Sequence, residues 1–320
     1  MADTIRWGIL GAANFAKGHM APAINMAENA VLAALATSSR DKAAPFEAIA
    51  PGLRVFDDYA ALLDDPDIDA VYIPLPNHLH VEWTIRALEA GKHVLCEKPI
   101  AMRADEFDRL IAARDASGKL ASEAYMIVHH PQWQRARQLV QEGVIGTLRQ
   151  VDAAFSYDNR EDTENIRNRP ETGGGALPDI GVYTFGSTRF VTGQEPTAMR
   201  ATIESEGGVD TLSRFDATFD GFRLTGFVSM RLAPRQEMTF HGDKGWLKLA
   251  APFNAEVYGD PAIQVRAGGS EWIERFAFAR QYQLQVEAFG RAVRGEAEWP
   301  VPLEWSRGTQ RMIDMAFDAA

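Results

Sequence analysis

The chain is 320 residues long, 46% hydrophobic and 24% charged, which fits one or two globular domains with full cores and excludes collagen-like, coiled-coil and low-complexity classes. Thirty-three Lys and Arg against 44 Asp and Glu leave a net charge of −11, a balance that repels nucleic-acid phosphate and anionic membrane alike, so neither is an expected partner. The lone cysteine, Cys96, excludes an internal disulfide and any metal site built on cysteine pairs.

Met1-Ala2-Asp3-Thr4 runs straight into the apolar Ile5-Arg6-Trp7-Gly8-Ile9-Leu10 without a basic n-region. No apolar run approaches the roughly 20 residues that span a bilayer, and the expectation is a cytoplasmic protein. The first third alternates short apolar runs with helical periodicity. Arg6–Leu10, Val31–Thr37, Ala70–Ile73, His93–Cys96 and Leu120–Ala124 read as strands. Val81, Ile85 and Leu88 share one face of a helix from His80 to Ala90 that Gly91 stops, and a second helix fits Ala104–Ser117 before Gly118. Repeated strand–helix units predict an α/β, doubly wound parallel sheet of Rossmann type over residues 1–122.

From about residue 123 the pattern changes. A helix over Gln132–Gln141 precedes β-rich segments at Leu148–Tyr157, Ala198–Glu206, Leu212–Phe219, Phe222–Met230, Arg235–His241 and Gly245–Leu249, with Asp220-Gly221 as a hairpin turn. Helices at Gln283–Val293 and Glu304–Ala320 close the chain. The expectation for 123–320 is an α+β domain with a large, mostly antiparallel, open sheet. Along Phe222–Met230, Leu224 and Val228 point one way and Phe227 the other. Covering one face with the domain's own helices leaves an apolar patch on the second, so a homodimer paired through that face is expected.

Five motifs carry chemistry. After the first strand, Gly11-Ala12-Ala13-Asn14-Phe15-Ala16 fits a dinucleotide fingerprint, Gly11-x-Ala13-x-x-Ala16, where small residues let the backbone turn and approach a pyrophosphate. Gly11, Ala13, Asn14 and Phe15 are the expected contacts. At the end of the second strand stands Thr37-Ser38-Ser39-Arg40 in place of the acid that holds an unmodified adenosine ribose. Hydroxyls of Ser38 and Ser39 with the Arg40 guanidinium suit a 2′-phosphate, hence NADP. The alternative is a helix cap, on Ser39 or Asp41, with a solvated arginine.

Pro74-Leu75-Pro76-Asn77-His78-Leu79-His80 and Glu97-Lys98-Pro99 follow two of the strands, at the edge where open α/β sheets bind ligands. His78 and His80 lack a carboxylate or cysteine at matching spacing, and no metal is expected. Finally, Gly173-Gly174-Gly175-Ala176-Leu177-Pro178-Asp179-Ile180-Gly181-Val182-Tyr183 sets Asp179 and Tyr183 four apart near a helix start.

In this order and spacing, these motifs together with Glu123-Ala124-Tyr125-Met126 resemble the Gfo/Idh/MocA oxidoreductase family. The likeness is to the branch that includes glucose-fructose oxidoreductase, NADP-dependent xylose dehydrogenase and dimeric dihydrodiol dehydrogenase. The resemblance implies catalysis by Lys98 and Tyr183, with Asp179 holding sugar hydroxyls or orienting Lys98. It implies cofactor contacts from Leu75, Asn77, His80, Glu97 and Lys98, with Arg167 and Tyr282 near the nicotinamide. It points to an NADP-dependent oxidation of an aldose at C1 to the lactone, or an exchange in which retained NADP(H) reduces a second sugar. A ketosugar reductase or trans-dihydrodiol dehydrogenase is the alternative enzyme. A non-catalytic NADP-binding regulator has no need of an acid/base pair such as Lys98 and Tyr183.

Overall fold

A computed structural model describes residues 3–255 and 257–320. The chain folds as two compact units. One comprises the described residues up to Met126 with Arg280–Ser306, the other Ile127–Ala279 with Arg307–Ala320. A single cut near residue 122 thus does not describe the division, because the chain returns to its first unit through the helix at Gln281–Val293.

The first unit is a six-stranded parallel sheet, β1 (Ile5–Leu10), β2 (Ala30–Ala36), β3 (Arg54–Phe56), β4 (Ala70–Ile73), β5 (His93–Cys96) and β6 (Ala121–Glu123), in the order β3-β2-β1-β4-β5-β6. This is the doubly wound order with its switch point between β1 and β4. Alternate residues feed two cores. Trp7, Ile9, Leu32, Leu35 and Tyr72 join one cluster, whereas Leu10, Ala34, Val71, Ile73 and Cys96 join the other. Near-continuous apolar runs in these strands follow from burial on both faces. On the first face, α1 (Ala21–Met26) and the returning helix Gln281–Val293 pack together, with Phe289 5.1 Å from the Trp7 ring. The three-residue β3 was not anticipated. It is a sheet edge whose Arg54-Val55-Phe56 is only partly covered, too short to show a period.

The second unit carries an eight-stranded sheet: β7 (Leu148–Asp158), β8 (Ala198–Glu206), β9 (Val209–Thr218), β10 (Arg223–Ser229), β11 (Arg231–Gly242), β12 (Gly245–Leu249), β13 (Ala262–Ala267) and β14 (Ser270–Arg275). Its order is β14-β13-β12-β11-β7-β10-β9-β8. All pairs are antiparallel except β7 with β10, which are parallel. The Asp220-Gly221 turn joins β9 to β10 with Gly221 at φ +84°. Strands β13 and β14 were not anticipated; the outer one flanks the adjacent Trp272 and Ile273 with Glu271, Glu274 and Arg275, with no alternation that would separate it from a loop.

Leu224 and Val228 are fully buried, and Phe227 is half-buried on the opposite face. That outer face does not form the expected apolar patch. Around Phe227 it is laced by polar pairs: Arg223 with Asp216 at 2.5 Å, Arg214 with Glu204 at 2.7 Å, and Thr225 with Asp152 at 2.9 Å. The Arg235 guanidinium lies 5.7 Å from the Phe227 ring. Among the described residues no helix is long and apolar enough to cross a membrane.

Candidate active site

In the first unit the expected cofactor residues cluster at the carboxyl ends of the parallel strands. The turn after β1 is fixed by the Gly11 N–H donating to Ala36 O at 2.9 Å. Gly11 sits at φ +104°, and a Cβ there would stand 3.0 Å from Leu75 Cδ2, so glycine is needed both for its conformation and for its space. The helix that follows opens as a π-helical turn, Ala16–Met20, with no acid in it, before continuing as α1. An anion at this end meets backbone N–H groups and no opposing carboxylate. Phe15 leans on His19 and on Tyr282, at 4.9 and 5.6 Å between ring centres.

The end of β2 carries no acid. Ser39 caps the next helix, α2 (Arg40–Ile49), accepting from Lys42 N–H at 3.4 Å, so Asp41 is not the cap. The Arg40 side chain is 79% exposed, with Glu47 3.8 Å away. A weak exposed pair of this kind leaves the guanidinium able to turn to a phosphate.

The loops after β4 and β5 are tied to one another. His80 is fully buried, its Nδ1 2.7 Å from Pro99 O and its Nε2 2.7 Å from Leu75 O. Burial pulls this imidazole down to about 4, against the pull of the two carbonyls. A neutral ring donates to only one carbonyl at a time. His80, expected among the cofactor contacts, therefore spends its side chain on positioning the Leu75 and Pro99 loops. Asn77 opens a short 3₁₀ turn at the same strand end.

Lys98 follows β5 and precedes Pro99 through a cis peptide. Its neighbour Glu97 accepts the Tyr72 hydroxyl on Oε1 at 2.6 Å and the Lys98 N–H on Oε2 at 3.3 Å. On the far side of the proline, the Ile100 N–H donates to Glu123 Oε1 at 3.0 Å. Glu123 is buried at the end of β6, and burial lifts its carboxyl to about 7 despite the Ile100 hydrogen bond and the nearby Lys98 charge. Tyr282 is also held in the neutral form, by burial and then by the Glu97 charge.

The second unit contributes a separate constellation. Asp179 lies in a π-helical turn, Leu177–Gly181, which runs into the helix Val182–Thr192 carrying Tyr183 in its first turn. The Tyr157 hydroxyl donates to Asp179 Oδ2 at 2.6 Å, and Arg167 Nε pairs with Oδ1 at 2.8 Å. Arg167, expected near the nicotinamide, is thus engaged by Asp179 in its own unit. The Asp179 charge, acting through this pair, holds Arg167 firmly protonated. Tyr183 is buried, its ring 5.8 Å from Phe155 and 5.6 Å from Phe253.

Tyr72, Tyr157 and Glu123 were not singled out as site residues from the sequence. Tyr72 and Tyr157 sit inside strands where an aromatic reads as core, and only the structure shows their hydroxyls on carboxylates. Glu123 did carry a signal, a lone acid closing an apolar strand that reads as buried.

Comparison with known proteins shows the family. The model for the oxidoreductase family with an NAD-binding Rossmann fold matches residues 5–125, and that for the GFO/IDH/MocA C-terminal domain matches 133–248. The chain is 42% identical to a dTDP-3,4-didehydro-2,6-dideoxy-alpha-D-glucose 3-reductase of Saccharopolyspora spinosa, over 99% of this chain and 96% of that one. It is 32% identical to D-xylose 1-dehydrogenase (NADP(+)) 2 of Haloferax volcanii, over 98% and 97% of the two chains. The crystal structure of KijD10, a 3-ketoreductase from Actinomadura kijaniata in complex with NADP and TDP-benzene, superposes with a TM-score of 0.91 at 30% identity, covering 99% of this chain and 98% of that one.

Proposed function

Since the chain belongs to the Gfo/Idh/MocA oxidoreductase family, we propose that it is an NADP-dependent sugar oxidoreductase whose substrate is an aldose, oxidised at C1 to the lactone. The observation that carries this reading is Lys98 at the carboxyl end of β5, in a loop held through Glu97 by Tyr72 and through Ile100 by Glu123. The acid-free end of β2 with Arg40 exposed supports NADP over NAD, as do the NADP named for the xylose dehydrogenase and the NADP in the KijD10 crystal.

The nicotinamide supplies the hydride acceptor when bound. Gly11, Ala13, Asn14 and Phe15 hold the pyrophosphate turn, Ser38, Ser39 and Arg40 the 2′-phosphate, and Leu75, Asn77 and Glu97 the nicotinamide half. Tyr282 closes the same pocket, and His80 acts on it through the loops it pins. Tyr183 takes the proton of the sugar hydroxyl. A phenol with an ordinary pKa near 10 is a poor base at neutral pH unless a neighbouring ammonium favours the phenolate, and Lys98 is the group assigned to do so. Asp179, oriented by Tyr157 and Arg167, accepts from sugar hydroxyls.

A second reading is reduction of a ketosugar, favoured by the 42% identity to the Saccharopolyspora reductase. The same groups serve it, with Tyr183 donating its proton instead of accepting one. One measurement separates the readings: absorbance at 340 nm with NADP⁺ plus D-xylose or D-glucose, and with NADPH plus a TDP-linked 3-ketosugar. A rise with an aldose alone supports C1 oxidation, and a fall with the ketosugar alone replaces it. No change in either direction would leave a cofactor-bound regulator. A 340 nm band on the protein as purified would mark retained NADPH and an exchange between two sugars. The same reading carries a homodimer paired through the outer face of the eight-stranded sheet.

A further inference from the structure

The helix that bears Asp179 and Tyr183 begins without a capping side chain of its own. Backbone N–H groups at a helix start have no partner inside the helix and must find one elsewhere. Here Pro178 has no N–H to satisfy, and the Asp179 N–H donates to Gly175 O at 3.1 Å. The Leu177 N–H instead donates to Asp210 Oδ2 at 2.8 Å.

Asp210 comes from β9, 33 residues further along the chain. It is 4% exposed, and the Ser213 hydroxyl also donates to its Oδ2, at 3.0 Å. Two features of the chain make room for it. The pairing of β8 with β9 shifts register between Glu204 and Ser205, and Ser205 is the residue opposite Asp210; such irregularities re-aim side chains. Gly175 is at φ +126°, and a Cβ there would overlap Asp210 Oδ1. The third glycine of the Gly173-Gly174-Gly175 run is thus the space that the carboxylate occupies.

We infer that Asp210 is a positioning residue for the reaction, a cap supplied from β9 that fixes the turn Leu177–Gly181 and through it the placement of Asp179 and Tyr183. Burial lifts this carboxyl to about 6 against the Leu177 and Ser213 hydrogen bonds. The fold keeps a carboxylate whose ionised form is costly there. The kinetic side of the inference rests on the proposed roles of Tyr183 and Asp179; the structural side does not.

The test is Asp210→Ala in the full chain, which removes the acceptor altogether, with Ser213→Ala as a milder variant that loses one of the two hydrogen bonds to Oδ2. Amide hydrogen exchange read by mass spectrometry should quicken at least tenfold over residues 176–183 while the first unit stays unchanged. With D-xylose and NADP⁺, or NADPH and a TDP-linked 3-ketosugar, kcat should drop at least tenfold and KM stay within twofold. Ser213→Ala should move both quantities the same way by less. Unchanged exchange over 176–183, or quickened exchange with kcat within twofold of wild type, would overturn the inference. Failure of the underlying reading looks different: Tyr183→Phe then keeps full turnover, or no sugar turns over in the wild type, while the exchange result on Asp210→Ala still decides the capping role.

Discussion

Glu123 Oε1 receives the Ile100 N–H at 3.0 Å, so a buried carboxyl at the end of one strand holds the loop that presents Lys98 at the end of the next. Burial raises that carboxyl from 4.5 to about 7. The folded chain keeps the proton up to about pH 7, whereas the unfolded chain releases it near the ordinary value. The stabilisation from this group is therefore fully present below about pH 4.5 and is lost as pH rises through 7. Glu123→Gln retains an acceptor for Ile100 and abolishes the ionisation. Denaturant melts of both proteins from pH 5 to 8 should show the wild type losing on the order of 2 to 3 kcal/mol relative to the variant. A gap that stays constant with pH would mean that Glu123 ionises as an ordinary carboxylate.

Arg40 is the group whose removal should change cofactor choice without changing cofactor chemistry. A charge-assisted contact to a 2′-phosphate contributes about 1.5 to 3 kcal/mol, roughly 10- to 150-fold in affinity. Arg40→Ala should weaken NADP⁺ by that factor in a fluorescence titration and leave NAD⁺ within twofold. Equal losses for both would remove Arg40 from the 2′-phosphate site.

Lys98→Ala and Tyr183→Phe should each lower kcat by about 10² to 10⁴, the range expected for a positioned acid/base group. Binding of NADP⁺ should survive Tyr183→Phe, since the residues proposed to hold its pyrophosphate and 2′-phosphate all lie in the first unit. Tyr157→Phe removes only the hydrogen bond to Asp179 Oδ2, and the Arg167 pair remains. Its loss in kcat should be the smallest of the three, about tenfold or less. Normal turnover of Tyr183→Phe from pH 6 to 9 would move proton transfer to another group.

Much of the first unit was legible because a parallel sheet buried on both faces writes its strands as apolar runs, and β4 and β5 were placed to the residue. Of the catalytic candidates, Lys98 was legible as a motif at a strand end, and Asp179 with Tyr183 as one at a helix start. What the sequence did not show depends on contacts between distant segments. The return of Gln281–Val293 to the first sheet follows from Phe289 meeting Trp7, a contact no local period encodes. The same holds for Tyr157 and Arg167 on Asp179, and for Asp210 under Gly175. The π-helical turns at Ala16–Met20 and Leu177–Gly181 were read as ordinary helix starts, since local spacing does not separate the two.

The homodimer expectation now rests on the same face with a different character from the apolar patch that motivated it. Phe227 is half-buried among ion pairs, with Arg235 over its ring, so an interface on this face would join charged and polar groups around one aromatic. Exposed ion pairs are weak singly and are screened by salt, whereas association through an apolar patch strengthens with a salting-out ion. A dimer built here should therefore dissociate more readily in 1 M sodium chloride than in 0.1 M. Phe227→Asp should shift sedimentation toward the 35.3 kDa monomer, because it removes the aromatic under Arg235 and puts a charge at the centre of the seam. A wild-type chain that already sediments as a monomer at micromolar concentration would exclude the pairing, and a dimer indifferent to both salt and Phe227→Asp would place it on another face.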